Sequence, residues 1–182
     1  MKTLIAVTLA AGALLATSCQ PATPTGHPTQ SVGLNLHCAP GDSGEYDQQL
    51  GWAFCFPATW RALNGERTQK TTQGVDAVFD ITDYATGPTN GFFGVFIISS
   101  DTRGSAANLQ DWINTNIGTS LQLQPIQWGN AIEAYSEEGG PLPRYLALTP
   151  HMVVILELHS GPGNLDLKTA MTARFSTWKF TY

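Results

Sequence analysis

The sequence predicts an α+β domain, a central and mostly antiparallel β-sheet flanked by helices. Three observations predict it. Short apolar runs alternate with small or polar residues at period two, as half-buried strands do. Two later stretches, near 108–118 and 164–178, switch to helical spacing. The links between runs are short and rich in turn formers, with 18 Gly and 11 Pro in 182 residues, and links of hairpin length join antiparallel strands.

The chain opens on Met1-Lys2-Thr3, followed by an apolar run from Leu4 to Ala16. A positive start, an apolar stretch too short to span a bilayer and a small-residue site describe a secretory signal over residues 1–18. Cys19 follows Ala16-Thr17-Ser18, a position resembling the bacterial lipobox, in which the new N-terminal cysteine is acylated. The pattern departs from the lipobox where Ala16 stands in place of the preferred Leu. An ordinary signal peptidase could cut the same bond and leave a free thiol. Cysteine arithmetic bears on the choice. Cys19, Cys38 and Cys55 are three, and in an oxidising compartment an odd one needs another use. Acylating Cys19 leaves Cys38 and Cys55 to pair, closing a 16-residue loop worth about 3 kcal/mol in the chain-entropy model. Residues 19–32, rich in Pro, Thr, Gly and Ser, cannot bury a core and read as a flexible tether.

Residues 33–182 then form a single domain. Gly33–Cys38 is expected as a first strand and Pro40–Gly44 as a turn. Gln49–Phe56 is a second strand, with Trp52, Phe54 and Phe56 on one heavy face and Pro57 ending the ladder. Val75–Tyr84 alternates again, with Ala77 and Phe79 inward and Asp76 and Asp80 outward. Phe92–Ile98 is almost continuously apolar and reads as a central strand buried on both faces. Leu109, Trp112, Ile113 and Ile117 are helically spaced, with Asn108 as cap and Gly118 as terminator. Strands are expected near 122–127, 130–136, 144–148 and 152–159, with Gly139-Gly140-Pro141 as a hairpin turn. Asn164 caps a last helix bearing Leu167, Met171, Arg174, Phe175 and Trp178.

The motif Phe54-x-Phe56-Pro57-x-x-Trp60 resembles the opening of PsbP-like domains. The apolar strand at 92–98, Asn108-Leu109-Gln110-Asp111-Trp112 opening a helix, and Ser176-Thr177-Trp178-Lys179-Phe180 at the end follow in the same order. Bacterial lipoproteins of the LpqN type share this order, and the resemblance covers about residues 46–180. It implies a PsbP-like layered domain and an activity of binding or assembling other macromolecules. It offers no invariant catalytic residues to carry across. Cys38 and Cys55 are not general features of that fold.

The residues themselves supply no catalytic constellation. Gly41-Asp42-Ser43-Gly44 resembles the nucleophile motif of trypsin-like proteases, but Glu45 replaces the next Gly and the motif precedes the domain core. A polar turn explains it. His37, Cys38, Cys55, His151 and His159 lack chelating spacing, and His151 and His159 stand about 27 Å apart along one strand. Asp76, Asp80, Asp83, Glu133, Glu137 and Glu138 could supply a carboxylate pair, but show neither glycosidase nor calcium-loop patterning. Gly161-Pro162-Gly163 lacks the spacing and Lys of a phosphate loop. Phe92, Phe93, Trp128, Trp178, Phe180 and Tyr182 are candidates for an exposed aromatic patch. Removing Lys2 with the signal leaves eight basic against fourteen acidic residues, a net charge near −6, which opposes nucleic-acid binding.

The expectation is therefore an extracytoplasmic protein of the cell membrane or envelope. It is held to the membrane by a lipid on Cys19, needs no cofactor or metal, and binds a protein or envelope component without catalysis. A small-ligand or glycan carrier with an aromatic-lined pocket and a carboxylate-dependent hydrolase are the alternatives.

Overall fold

The computed structural model describes residues 36–63, 74–80, 94–160 and 167–181. The described strands are β1 (Asp42–Asp47), β2 (Trp52–Pro57), β3 (Arg61–Leu63), β4 (Val75–Asp80) and β5 (Gly94–Thr102), then, after helix α1 (Leu109–Asn116), β6 (Gln122–Pro125), β7 (Glu133–Glu138), β8 (Arg144–Leu148) and β9 (Met152–Ser160). Helix α2 (Leu167–Thr172), a 3-10 turn at Phe175–Thr177 and β10 (Lys179–Phe180) complete the chain. Every strand pair is antiparallel. The strands form two sheets: a small one in the order β1-β2-β10 and a large one in the order β3-β4-β5-β9-β8-β7-β6.

The division into two sheets follows from Pro57. It has no N–H to offer a ladder, and the chain turns there, with Trp60 N donating to Pro57 O at 2.9 Å, before β3 joins the other sheet. The β1–β2 hairpin is closed by the Asp47 carboxylate, which accepts from the main-chain N–H groups of Gln49 and Leu50, both at 2.9 Å. Such side-chain mimicry of a turn is what Asp offers at hairpins.

Several boundaries differ from the sequence expectation. Residues 36–39 are not in a strand, and Gly33–Asn35 lie outside the described residues. The expected turn at 40–44 is confined to 40–41, and Asp42, Ser43 and Gly44 open β1. The central strand begins at Gly94. Phe96 and Ile98 are fully buried while Val95 and Ile97 are only partly so, so it is one-sided at this end. Phe92, Phe93, Ile81–Tyr84 and the expected cap Asn164 lie outside the described residues. The last helix stops at Thr172, and the segment carrying Phe175 and Trp178 continues as a 3-10 turn and a strand.

Two apolar clusters sit on opposite faces of the large sheet, and the alternation of its strands assigns them. On one face Phe79, Phe96, Ile98, Tyr145, Ala147, Val154, Leu156 and Leu158 meet Trp52, Phe54 and Phe56 of β2, with Met171, Phe175, Trp178 and Phe180 from the C-terminal segment. On the other face Leu109, Trp112 and Ile113 of α1 pack on Leu146, Leu148 and Val153. Eight residues are too few for a stable isolated helix. Burying these three side chains contributes about 5–9 kcal/mol before entropy. The ends of α1 are satisfied: Asn108 accepts from Asp111 N at 2.8 Å, and Ile117 N and Gly118 N both donate to Ile113 O.

A clamp fixes the C-terminal segment. Asn130 uses its side-chain amide as a strand would use its main chain, donating to Phe180 O at 2.8 Å and accepting from Phe180 N at 2.7 Å. Next to it Gly129 has φ +52, and a Cβ there would lie 2.3 Å from Trp178 O. Only glycine allows the two segments to approach so closely.

Candidate functional site

Three places combine chemistry-bearing residues. The first is where the chain enters the domain. Cys38 and Cys55 form a disulfide with Cα atoms 5.4 Å apart. In β2 the side chains of Trp52, Phe54 and Phe56 point into the core, so Cys55 points to the opposite, outer face of the small sheet. It is nonetheless only 2% exposed, because the entering chain lies over it. Gly44 is its cross-strand partner. A Cβ on Gly44 would come within 3.3 Å of Cys38 Sγ and 3.5 Å of Leu36 Cδ1. Thr177 supports the other edge of β2, its hydroxyl accepting from Cys55 N at 3.1 Å and donating to Arg174 O at 2.7 Å. Cys19 lies outside the described residues.

The second place is an ion-pair row across the large sheet. The register places Glu137, Arg144 and Glu157 side by side on adjacent strands. The Arg144 guanidinium bonds to Glu137 Oε2 and stands 3.8 Å from Glu157 Oε1. His159 Nε2 is 3.6 Å from the other Glu157 oxygen. The Glu137 side chain is 6% exposed, against 35% for Glu157. This is where two of the chain's carboxylates converge, and sequence reasoning missed Glu157. A glycosidase leaves an open cleft between its two carboxyls. Here a guanidinium fills that space, with a charge-assisted hydrogen bond to Glu137 and an ion pair to Glu157, the arrangement of a structural row.

The third place is a shallow cavity of about 440 Å³ between the end of β5, the 103–107 turn and α1, lined by Asp101, Arg103, Asp111, Trp112, Thr115 and Asn116 among others. Most of its polar groups are already engaged. Arg103 donates to Ala106 O and Ala107 O, Trp112 Nε1 to Thr102 O, Thr115 to Asp111 O and Asn116 to Trp112 O. Trp112 is 4% exposed, too little to stack on a sugar ring.

The other candidates are dispersed. Asp42 is held by Arg174 at 2.7 Å, and Ser43 lies within β1 opposite Phe56, so the protease-like motif belongs to a strand and an ion pair. Asp80 pairs with Arg61 at 3.3 Å. Glu133 accepts from Leu109 N at 2.9 Å, at the start of α1. Glu138 faces Lys168 at 3.7 Å on the surface, a pair worth little. Asp83 lies outside the described residues. Among the described residues no group of three or more His, Cys, Asp and Glu could hold a metal ion. Trp128, Trp178 and Phe180, expected as possible surface aromatics, are buried in the main cluster. They stack around one another, with Trp128 4.8 Å from Phe175 and 5.0 Å from Trp178. Tyr182, like Phe92 and Phe93, lies outside the described residues.

No family model matches the chain, and no curated protein sequence matches it. Among solved structures it is similar to the solution structure of cyanobacterial PsbP (CyanoP) from Synechocystis sp. PCC 6803, with a TM-score of 0.51 and 14% sequence identity over 87% of this chain and 100% of that one. The fold is thus PsbP-like and mostly antiparallel β.

Proposed function

We propose that this chain is a secreted bacterial lipoprotein of the LpqN type, anchored in the cell membrane or envelope through Cys19, whose domain binds a protein or envelope component without catalysis. The observation that carries the reading is the Cys38–Cys55 bridge. It belongs to an oxidising compartment and uses two of three cysteines, so the remaining one is the residue directly after the signal pattern. The helix-flanked layering implied by the resemblance belongs to the same reading. The two clusters support it, with α1 side chains on one face of the large sheet and Met171 of α2 on the other.

The site geometry also favours binding over chemistry. The converging carboxylates are occupied by Arg144, and most of the described large aromatics go to the core. The decisive experiment is the intact mass of the protein purified from membranes of a bacterial host. Acyl mass on Cys19 is expected. A soluble, unmodified chain beginning at Cys19 would overturn the anchor. In the same cells, cross-linking should recover a stoichiometric partner from the anchored protein and lose it from Cys19→Ala.

A further inference from the structure

We infer that residues 36–39 form a strap over the outer face of the small sheet, and that the Cys38–Cys55 bridge is its latch, opened by dithiol reductants. The inference rests on the reading above for its extracytoplasmic setting alone and adds a redox-sensitive device to it.

A tight turn starts the strap. Asp42 N donates to Ala39 O at 2.9 Å across Pro40 and Gly41, and Gly41 has φ +88. A proline followed by a left-handed glycine is the make-up of a type II turn. The chain ahead of the turn lies over β1 at Gly44, the partner of Cys55. A Cβ added to Gly44 would stand 3.3 Å from Cys38 Sγ and 3.5 Å from Leu36 Cδ1.

Little else holds the strap. Leu36, His37 and Cys38 belong to no strand and make no hydrogen bond among the described residues. Leu36 joins neither apolar cluster. The sheet beneath has its own supports. β1 and β2 pair from Asp42–Pro57 to Asp47–Trp52, Asp47 closes their hairpin, and the core aromatics pack on the other face of β2. A segment tied by one reducible bond to a self-supporting sheet is a two-state element that thiol chemistry can bias.

The two sulfurs differ in access. Cys38 is half-buried between the exposed residues His37 and Ala39, whereas Cys55 is 2% exposed. A reductant therefore reaches Cys38 first. Its thiolate attacks Cys38 Sγ, the Cys38–Cys55 bond breaks, and the electron pair leaves on Cys55 Sγ, which takes up a proton. The second thiol of the reductant, as its thiolate, then displaces Cys38, which is protonated in turn, and the reductant departs as a disulfide. With the latch open, conformational entropy favours release of the strap, and the contact of Leu36 with Gly44 is all that opposes it on the outer face. Release uncovers Gly44 and the Cys55 thiol.

The test uses the mature chain 19–182 with Cys19→Ser, so that the bridge holds its only cysteines, labelled with nitrogen-15 and studied by NMR relaxation before and after dithiothreitol is added without denaturant. Oxidised, the amides of Leu36 and His37 should be as ordered as those of β2, with order parameters near about 0.85; reduced, they should fall below about 0.6 while β2 and α1 keep their signals. Order unchanged at Leu36 and His37 would overturn the latch. Collapse of the β2 signals would overturn it too, because the bridge would then be a staple of the whole fold. Cys38→Ser should show the same mobile strap with no reductant present, and a rigid one would count against the inference. A second measurement adds glutathione to the native oxidised protein and quenches with acid. Peptide mass should place the mixed disulfide on Cys38 at least about tenfold over Cys55, and a bridge that reacts only once denaturant unfolds the domain would refute the route of release. Acylation plays no part in these measurements, so their failure leaves the mass test of Cys19 standing, and the reverse.

Discussion

Replacing Gly129 with Ala should be among the most damaging single-methyl changes available to this fold. Two effects coincide there. At φ +52 the backbone is left-handed, which costs a residue with a Cβ about 1–2 kcal/mol. The added carbon would also sit 2.3 Å from Trp178 O and 2.9 Å from Trp178 C. These are main-chain atoms of the clamped C-terminal segment and cannot swing aside. Relief requires moving that segment, which strains the bond from Gly129 N to Phe175 O and the paired bonds between Asn130 and Phe180. The total should be about 3–5 kcal/mol, in the range reserved for named structural faults. Gly139→Ala is the control. Its φ is +77, but nothing lies within 4 Å of the added carbon, so it should lose only the conformational part, about 1–2 kcal/mol. Urea unfolding followed by tryptophan fluorescence measures both. If the two variants fall within 1 kcal/mol of each other, the close approach to Trp178 is not what selects glycine at 129.

Glu133→Gln keeps an acceptor for Leu109 N but removes its charge from the start of α1, and should cost about 0.5–1 kcal/mol; Glu133→Ala removes both and should cost about twice that, with faster amide exchange at Leu109 as the local readout. Arg144→Met leaves Glu137 buried without its cation and should destabilise by about 3 kcal/mol. Adding Glu137→Leu should restore most of that loss, and denaturant midpoints that simply add would show the row to be uncoupled. Trp128→Phe shrinks a stacked ring but also deletes an indole N–H that is buried without a partner among the described residues. It should therefore cost less than the about 3–5 kcal/mol expected of a truncation to Ala, with thermal unfolding of both variants as the check.

Local pattern carried most of what was legible in the chain. The Asn108 cap, the buried trio Leu109, Trp112 and Ile113, and the Pro57 stop need only neighbours within a few residues, and the structure has them. The Cys38–Cys55 pairing came from counting. What failed depends on pairing between distant segments. Nothing in Lys179-Phe180 says that two residues will add to β2, so Trp178 and Phe180 looked free when they fill the core. Trp128 looked stranded between strands because its partners, Phe175 and Trp178, come nearly 50 residues later. The Glu137–Arg144–Glu157 row is invisible for the same reason. It exists only once β7, β8 and β9 are set in register, and a local trace of it is the charge at Glu157 directly after the apolar run 152–156.

The aromatic core limits where function can lie. Trp52, Trp128 and Trp178 are each at most 1% exposed, and among the described residues their indole N–H groups find no acceptor. A buried unsatisfied donor costs about 1–3 kcal/mol, so three of them oppose folding substantially. Ring packing offsets that cost. Phe54 stacks on Trp178 at 4.4 Å and Phe79 on Phe96 at 4.7 Å, with Trp128 set edge-on to Trp178. These rings join the small sheet to the large one, and withdrawing any of them to line a ligand pocket would separate the layers. The same packing keeps the core-facing side of β2 fixed while its outer side receives the entering chain at Cys55. One strand thus serves as both the core's aromatic spine and the covalent attachment of the entering chain at Cys38.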